Sequence, residues 1–234
     1  MSPMDADLPL DYYLIYAAPQ DRGRGTPPLG ILVEEFVLCD DYTAAGIDCA
    51  EWTSECGEWR ESPGSSRAIR ADPALRERVL PVTRRDARDT YSMLGGGARP
   101  EEAGLRAFFQ YRQALPAAAP LDLSGGRSTQ TRRYRILFAG ELGERGLANV
   151  RTVLRLEPPE PNPRARIAGT ATATAAGHTF TWELRRIGPG IAWCLDVTVR
   201  LSAGPLAAIG ALLHHHRQAI RGQGLIPVTI ERFA

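Results

Sequence analysis

The chain has 234 residues, 44% hydrophobic and 24% charged, with a formal net charge of +1. That suits one large domain or two of roughly 100 residues, each able to bury a core, and excludes a disordered or fibrous chain. No run approaches the roughly 18 apolar residues of a membrane helix, and the opening MSPMDADLPLDYY lacks the basic start and apolar core of a signal peptide, so a cytoplasmic protein without a membrane partner is expected.

All 28 basic residues are arginine. Lysine Schiff bases, pyridoxal phosphate attachment, a P-loop lysine and a kinase lysine are therefore excluded. Together with 18 Pro and 23 Gly, this composition points to a high-GC bacterial genome. The absence of lysine reflects either codon bias or escape from a pathway that conjugates tags to lysine. Cys39, Cys49, Cys56 and Cys194 do not read as a disulfide framework in a chain of this length. Cys49 and Cys56 lack zinc-knuckle spacing, and the N-terminal half has no histidine to complete a site. Ordinary buried or partly buried thiols are expected, with no metal and no cofactor.

The first predicted elements are strands at 12–16 (YYLIY) and 30–38 (GILVEEFVL), joined by an Arg/Gly/Pro-rich loop. Residues 40–59 read as irregular structure with room for a third strand. From Ser66 the period becomes helical, with Pro73 interrupting. Thr83 is the N-cap of a second helix, and Asp86 stands where a capping box wants an acid. Gly95, Gly96 and Gly97 stop that helix, and Pro100 opens a third running through Leu105, Phe108, Phe109 and Tyr111. Residues 114–131, rich in Ala and Pro and then in Gly, Ser and Thr, are the candidate linker.

The second half opens with strands at 134–142 and 150–156, followed by a Pro-rich loop at 157–164. Three strands with a two-residue period follow, at 167–174, 179–185 and 191–201. In the last, Ile191, Trp193, Leu195, Val197, Val199 and Leu201 face in, while Ala192, Cys194, Asp196, Thr198 and Arg200 face out. Pro189-Gly190 forms a type II turn pair, and His178 reads as a turn residue beside Gly177. An amphipathic helix follows, capped by Ser202 with Pro205 in its first turn and stopped at Gly222 and Gly224. The tail LIPVTIERF adds a strand. The fold class is α+β: N-terminal strands followed by helices, then a C-terminal antiparallel β-meander closed by an amphipathic helix.

Charge divides with the elements. Residues 1–125 carry 13 Arg against 20 acids, a net of −7; residues 126–234 carry 15 Arg against 7 acids, a net of +8. Two units, 1–125 and 126–234, are expected, or one compact two-lobed domain, with the basic half meeting either the acidic half or an acidic partner.

The turn at 189–190 sets a register. Ile187 falls beside Ala192, Leu184 opposite Leu195, and Glu183 opposite Asp196. Facing carboxylates repel unless they share a proton, bind a cation or meet arginines. Glu183 and Asp196 are thus candidate catalytic residues, a general acid/base pair on a face lined by Thr172, Thr181 and Thr198. Arg185, Trp193 and Arg200 are candidate ligand-binding residues. The alternative is a solvated face on which Arg185 and Arg200 flank the acids. His214, His215 and His216 point about 100° apart on a helix and cannot converge on one metal. No phosphate-binding glycine loop, metalloprotease helix or nucleophile elbow is present.

Three functions remain. A non-catalytic accessory, adaptor or regulatory protein would act through a protein partner. A small-molecule binder or enzyme of bacterial specialised metabolism would use the sheet around Glu183 and Asp196. A nucleic-acid binder would use the arginines from Arg127, Arg132, Arg133 and Arg135 onward, although these are dispersed and few exposed aromatics accompany them. The oligomeric state is left open.

Overall fold

The computed structural model of the chain describes residues 9–98, 100–116, 130–159, 166–188 and 192–233. The chain divides into two compact units, residues 1–37 with 45–115 and residues 38–44 with 116–234. Both are α+β and both are built on an antiparallel sheet.

The first unit contains β1 (Asp11–Ile15), a 3₁₀ turn (Pro19–Gly23), β2 (Gly30–Leu38), β3 (Ala44–Thr53), β4 (Trp59–Glu61), α1 (Pro63–Ala71), α2 (Pro73–Arg76), β5 (Val79–Val82), α3 (Arg84–Met93), α4 (Glu102–Arg106) and β6 (Gln113–Ala114). The strands run β4-β3-β2-β1-β5, with β6 added to β3. Apolar residues from one side of this sheet, among them Tyr12, Leu14, Ile31, Val33, Trp52 and Trp59, form a core with Tyr91 of α3 and Leu105 of α4. The Trp52 and Tyr91 rings meet edge to face at 4.8 Å.

The capping box at α3 is present: Thr83 Oγ1 accepts from Asp86 N at 3.2 Å, and Asp86 Oδ2 accepts from Thr83 N at 3.3 Å. Residues 40–59 are more regular than expected, because β3 alone is ten residues long. The four-residue β5 is too short for periodicity to reveal. The third helix stops at Arg106, so Phe108 and Phe109 pack against the core from beyond it and Tyr111 is exposed.

The second unit contains β7 (Thr131–Ala139), α5 (Glu144–Val153), β8 (Ile167–Ala175), β9 (His178–Ile187), β10 (Ala192–Arg200), α6 (Ala207–Arg221) and β11 (Ile226–Arg232). Its strand order is β11-β7-β10-β9-β8. The meander of β8, β9 and β10 followed by a helix is thus observed, extended by β7 and β11. Phe138, Ile136, Trp182, Leu184, Leu195, Val197 and Val199 form one buried face. Trp182 Nε1 donates to the Leu154 carbonyl just after α5 at 3.1 Å, and His216 of α6 stacks on the Trp182 ring at 4.7 Å. These two contacts place α5 and α6 over that face.

Three expectations are corrected. Residues 150–156 are not a strand. Val150, Val153 and Leu154 complete a helical spacing that begins at Leu147, and α5 results. Ser202 does not cap α6, which begins at Ala207 after Leu206; Ser202 N instead donates to His178 Nδ1 at 3.1 Å. His178 is not a turn residue. The turn is Ala176-Gly177, at φ 50° and 83°, which matches the positive φ pair of a type I′ hairpin. His178 opens β9 fully buried, with its Nε2 3.3 Å from the Pro205 carbonyl. Since Nδ1 accepts, Nε2 carries the proton, and the ring clamps the chain between β10 and α6.

The Pro189-Gly190 turn, Ile191, Arg127, Arg164 and most of the candidate linker lie outside the described residues. No helix among the described residues is long and apolar enough to cross a membrane.

Candidate functional site

The expected register holds at every position. Ile187 pairs with Ala192, Leu184 with Leu195 and Glu183 with Asp196. A row crosses the sheet on the face away from α5 and α6: Glu231 of β11, Arg135 of β7, Asp196 of β10, Glu183 of β9 and Thr170 of β8. The two carboxylates stand together with cations around them. Arg135 grips Asp196 with both prongs, Nε to Oδ1 at 2.6 Å and NH2 to Oδ2 at 3.0 Å. Arg185 donates to Asp196 Oδ2 from the other side, and its Nε lies 3.1 Å from Glu183 Oε1. The Arg135 guanidinium also sits over the Phe233 ring, 5.0 Å from its centroid.

A carboxylate that receives two guanidinium groups has both oxygens hydrogen-bonded and its charge compensated. The hydrogen bond from Arg135 to Asp196, with the Asp196 charge, strengthens that arginine's hold on its proton, against the opposing effect of burial. Burial pushes the neighbouring Cys194 thiol up and the Asp196 charge adds to this, against Arg135 and Arg185, so the thiol stays protonated at neutral pH. The arrangement is a lattice of ion pairs in which both Asp196 oxygens accept from arginine.

The other two candidates lie elsewhere. Trp193 is buried on the opposite face of the sheet. Arg200 is exposed on the same face as the acids, but its cross-strand neighbours are Thr179 and Thr131. Sequence reasoning named Arg185 and missed Arg135 as the main partner of Asp196, because β7 meets β10 across 61 residues. Other basic side chains are drawn into the structure. Arg151 donates to the Ala168 carbonyl at 2.9 Å and Arg217 and Arg221 are buried in α6, whereas Arg186 pairs with Glu141 at 2.7 Å on the exposed surface.

The first unit holds a second charged cluster with no counterpart in the sequence expectations. Asp11 and Glu34 face each other across β1 and β2, 1% and 0% exposed. Arg70 of α1 reaches Glu34 with both prongs at 2.8 and 2.7 Å and bonds the Ser66 carbonyl and hydroxyl at 2.8 and 2.9 Å. Burial alone would lower the Arg70 proton affinity; the Glu34 charge and hydrogen bonds outweigh it and raise it. The buried Cys49 thiol is pushed up to about 12, first by burial and then by the Glu34 charge. The available signal was two consecutive acids inside the apolar run of β2. Glu35, on the other side of the strand, is held by Arg106 at 2.7 Å, and Asp48 of β3 by Arg112 at 3.0 Å.

Cys49 and Cys194 are buried while Cys39 and Cys56 are exposed, and all four are free. Among the described residues no group of histidines, cysteines and acids could hold a metal ion. No protein-family model, curated protein or solved structure matches the chain.

Proposed function

We propose that the chain is a non-catalytic adaptor or regulatory protein that binds a protein partner through the polar face of the β7–β11 sheet. The observation that carries this reading is the state of Asp196. Arg135 and Arg185 donate to both of its oxygens, so the carboxylate is committed to the protein's own arginines. The surrounding side chains suit recognition. Arg133, Thr181, Arg200 and Thr172 are exposed around the half-buried acids and offer fixed donors and charges on a sheet lattice. The draw of several arginines into internal bonds weighs against a nucleic-acid surface, which would hold them free toward phosphates.

The test is recovery of a stoichiometric partner from cells that express the protein naturally. Arg133→Glu with Arg200→Glu, both at exposed sites, is expected to abolish recovery while leaving the circular dichroism spectrum and melting point unchanged. Turnover of a small molecule that disappears in a folded Asp196→Asn variant would replace this reading with an enzymatic one.

A further inference from the structure

β8 lies at the margin of its sheet and pairs with β9 on one side. Among the described residues its other side is used at one position: Glu157 N donates to Thr170 O at 2.8 Å and Thr170 N to Glu157 O at 3.1 Å, an isolated antiparallel bridge. Backbone groups along an antiparallel strand turn to alternate sides with a period of two. Thr172 and Thr174 therefore turn their N–H and C=O groups outward, as Thr170 does. The Thr172 and Thr181 hydroxyls meet at 3.2 Å, as the closer side chains of a pair without mutual backbone bonds should. Residues 172–176 are exposed. Two N–H donors and two carbonyl acceptors thus face outward on this edge, with no strand opposite them among the described residues.

Natural sheets protect such an edge with charge, proline or a bulge. Residues 170–176 (TATATAA) contain no charge and no proline, and the irregularity in β8 lies at its far end, between Ile167 and Gly169. The geometry points to this edge as a self-association site, where β8 of a second copy adds antiparallel about a two-fold axis at Ala173. Thr172-Ala173-Thr174 reads the same in both directions. Pairing about Ala173 sets Thr172 against the partner's Thr174 and Thr174 against the partner's Thr172, with four backbone hydrogen bonds. Ala173 then meets the partner's Ala173, the smallest contact where the backbones approach closest. A foreign peptide would need a pocket or a charge to be selected at a strand edge, and this stretch has only methyls and hydroxyls. Glu157 at one end and the Ala176-Gly177 turn at the other confine the pairing to about three residues a side. The interface falls far below the standard size, and the dimer is reversible with Kd in the range of roughly 10–1,000 µM. The two sheets then join into one, and the inference stands independently of the adaptor reading.

Sedimentation equilibrium of the full chain, run across that concentration range, tests it. The wild type is expected to show a reversible monomer–dimer equilibrium. Thr172→Pro removes an outward N–H without touching the β9 ladder and is expected to weaken association by at least about tenfold. Ala173→Glu and Ala173→Arg are each expected to abolish it, because like charges would meet on the axis, and an equimolar mixture of the two is expected to restore it. A wild type that is monomeric throughout overturns the proposal. So does a dimer that survives Thr172→Pro and Ala173→Glu, or a mixture that associates no better than its components. Circular dichroism establishes that each variant is folded; should Thr172→Pro unfold, the charge pair decides, since Ala173 is exposed.

Discussion

Each unit sets two acids opposite one another on neighbouring strands and brings arginine to them, yet the two sites differ in their relation to water. In the first unit the Glu34 side chain is 0% and the Arg70 side chain 7% exposed. In the second, Asp196, Arg135 and Arg185 are 17%, 31% and 35% exposed. A sealed ion pair has been desolvated in full, so removing one partner strands a buried charge. A half-exposed pair retains hydration to fall back on and is screened by salt. The first cluster fastens α1 to its sheet. The second keeps its ion pairs partly in contact with water.

The comparison breaks most sharply at Arg70. Arg70→Ala should destabilise the first unit by about 3–5 kcal/mol, read from denaturant unfolding, with little dependence on salt. A loss below about 1 kcal/mol would show that Glu34 is not effectively buried.

The next effect depends on pH. His216 is buried on α6, and neither ring nitrogen has a hydrogen-bond partner among the described residues. Burial, with a smaller contribution from His215, lowers its pKa to about 4. The unfolded ring titrates near 6.5, so between these values the unfolded chain binds more protons than the folded one. Stability should be independent of His216 above about pH 6.5 and fall by on the order of 3 kcal/mol as pH drops to about 4. All four histidines (178, 214, 215 and 216) lie in the second unit, so this loss should be confined there. His216→Leu should remove it and raise stability at neutral pH by about 1–3 kcal/mol, since a buried group without a partner is deleted. Melting temperatures measured across the pH range check both points.

Asp196→Asn should cost about 1 kcal/mol, fading as salt is raised. Glu183→Gln should be close to neutral, because the repulsion between the facing acids goes along with one ion pair. The smallest effect is chemical. In the folded protein at neutral pH, Cys39 and Cys56 should react with a thiol reagent while Cys49 and Cys194 do not, and all four should react on unfolding. Rapid labelling of a third thiol would contradict the burial of one of these clusters.

The fold was most legible where pattern and turn chemistry are local. Alternation in β9 and β10, with a short connection between them, was enough to place Glu183 opposite Asp196. What sequence could not supply was the pairing of β7 with β10 and hence the role of Arg135. Nothing local records a contact made across 61 residues. Likewise nothing local marks Glu34 as buried, because its burial depends on Arg70 of α1 reaching it across 36 residues. Parity turns Cys194 away from the α5 and α6 side, and it is buried there. His178 is a related case: its glycine neighbour suggests a turn, but the ring's two backbone partners come from residues 24 and 27 positions away.

The most direct test of the contrast is a pair of double-mutant cycles, Glu34→Gln with Arg70→Gln and Asp196→Asn with Arg135→Gln, measured by denaturant unfolding at low and high salt. The expected coupling is about 3 kcal/mol for the first pair, insensitive to salt, and about 1 kcal/mol for the second, diminishing as salt is raised. Equal couplings, or a larger and salt-insensitive one at Asp196, would contradict it.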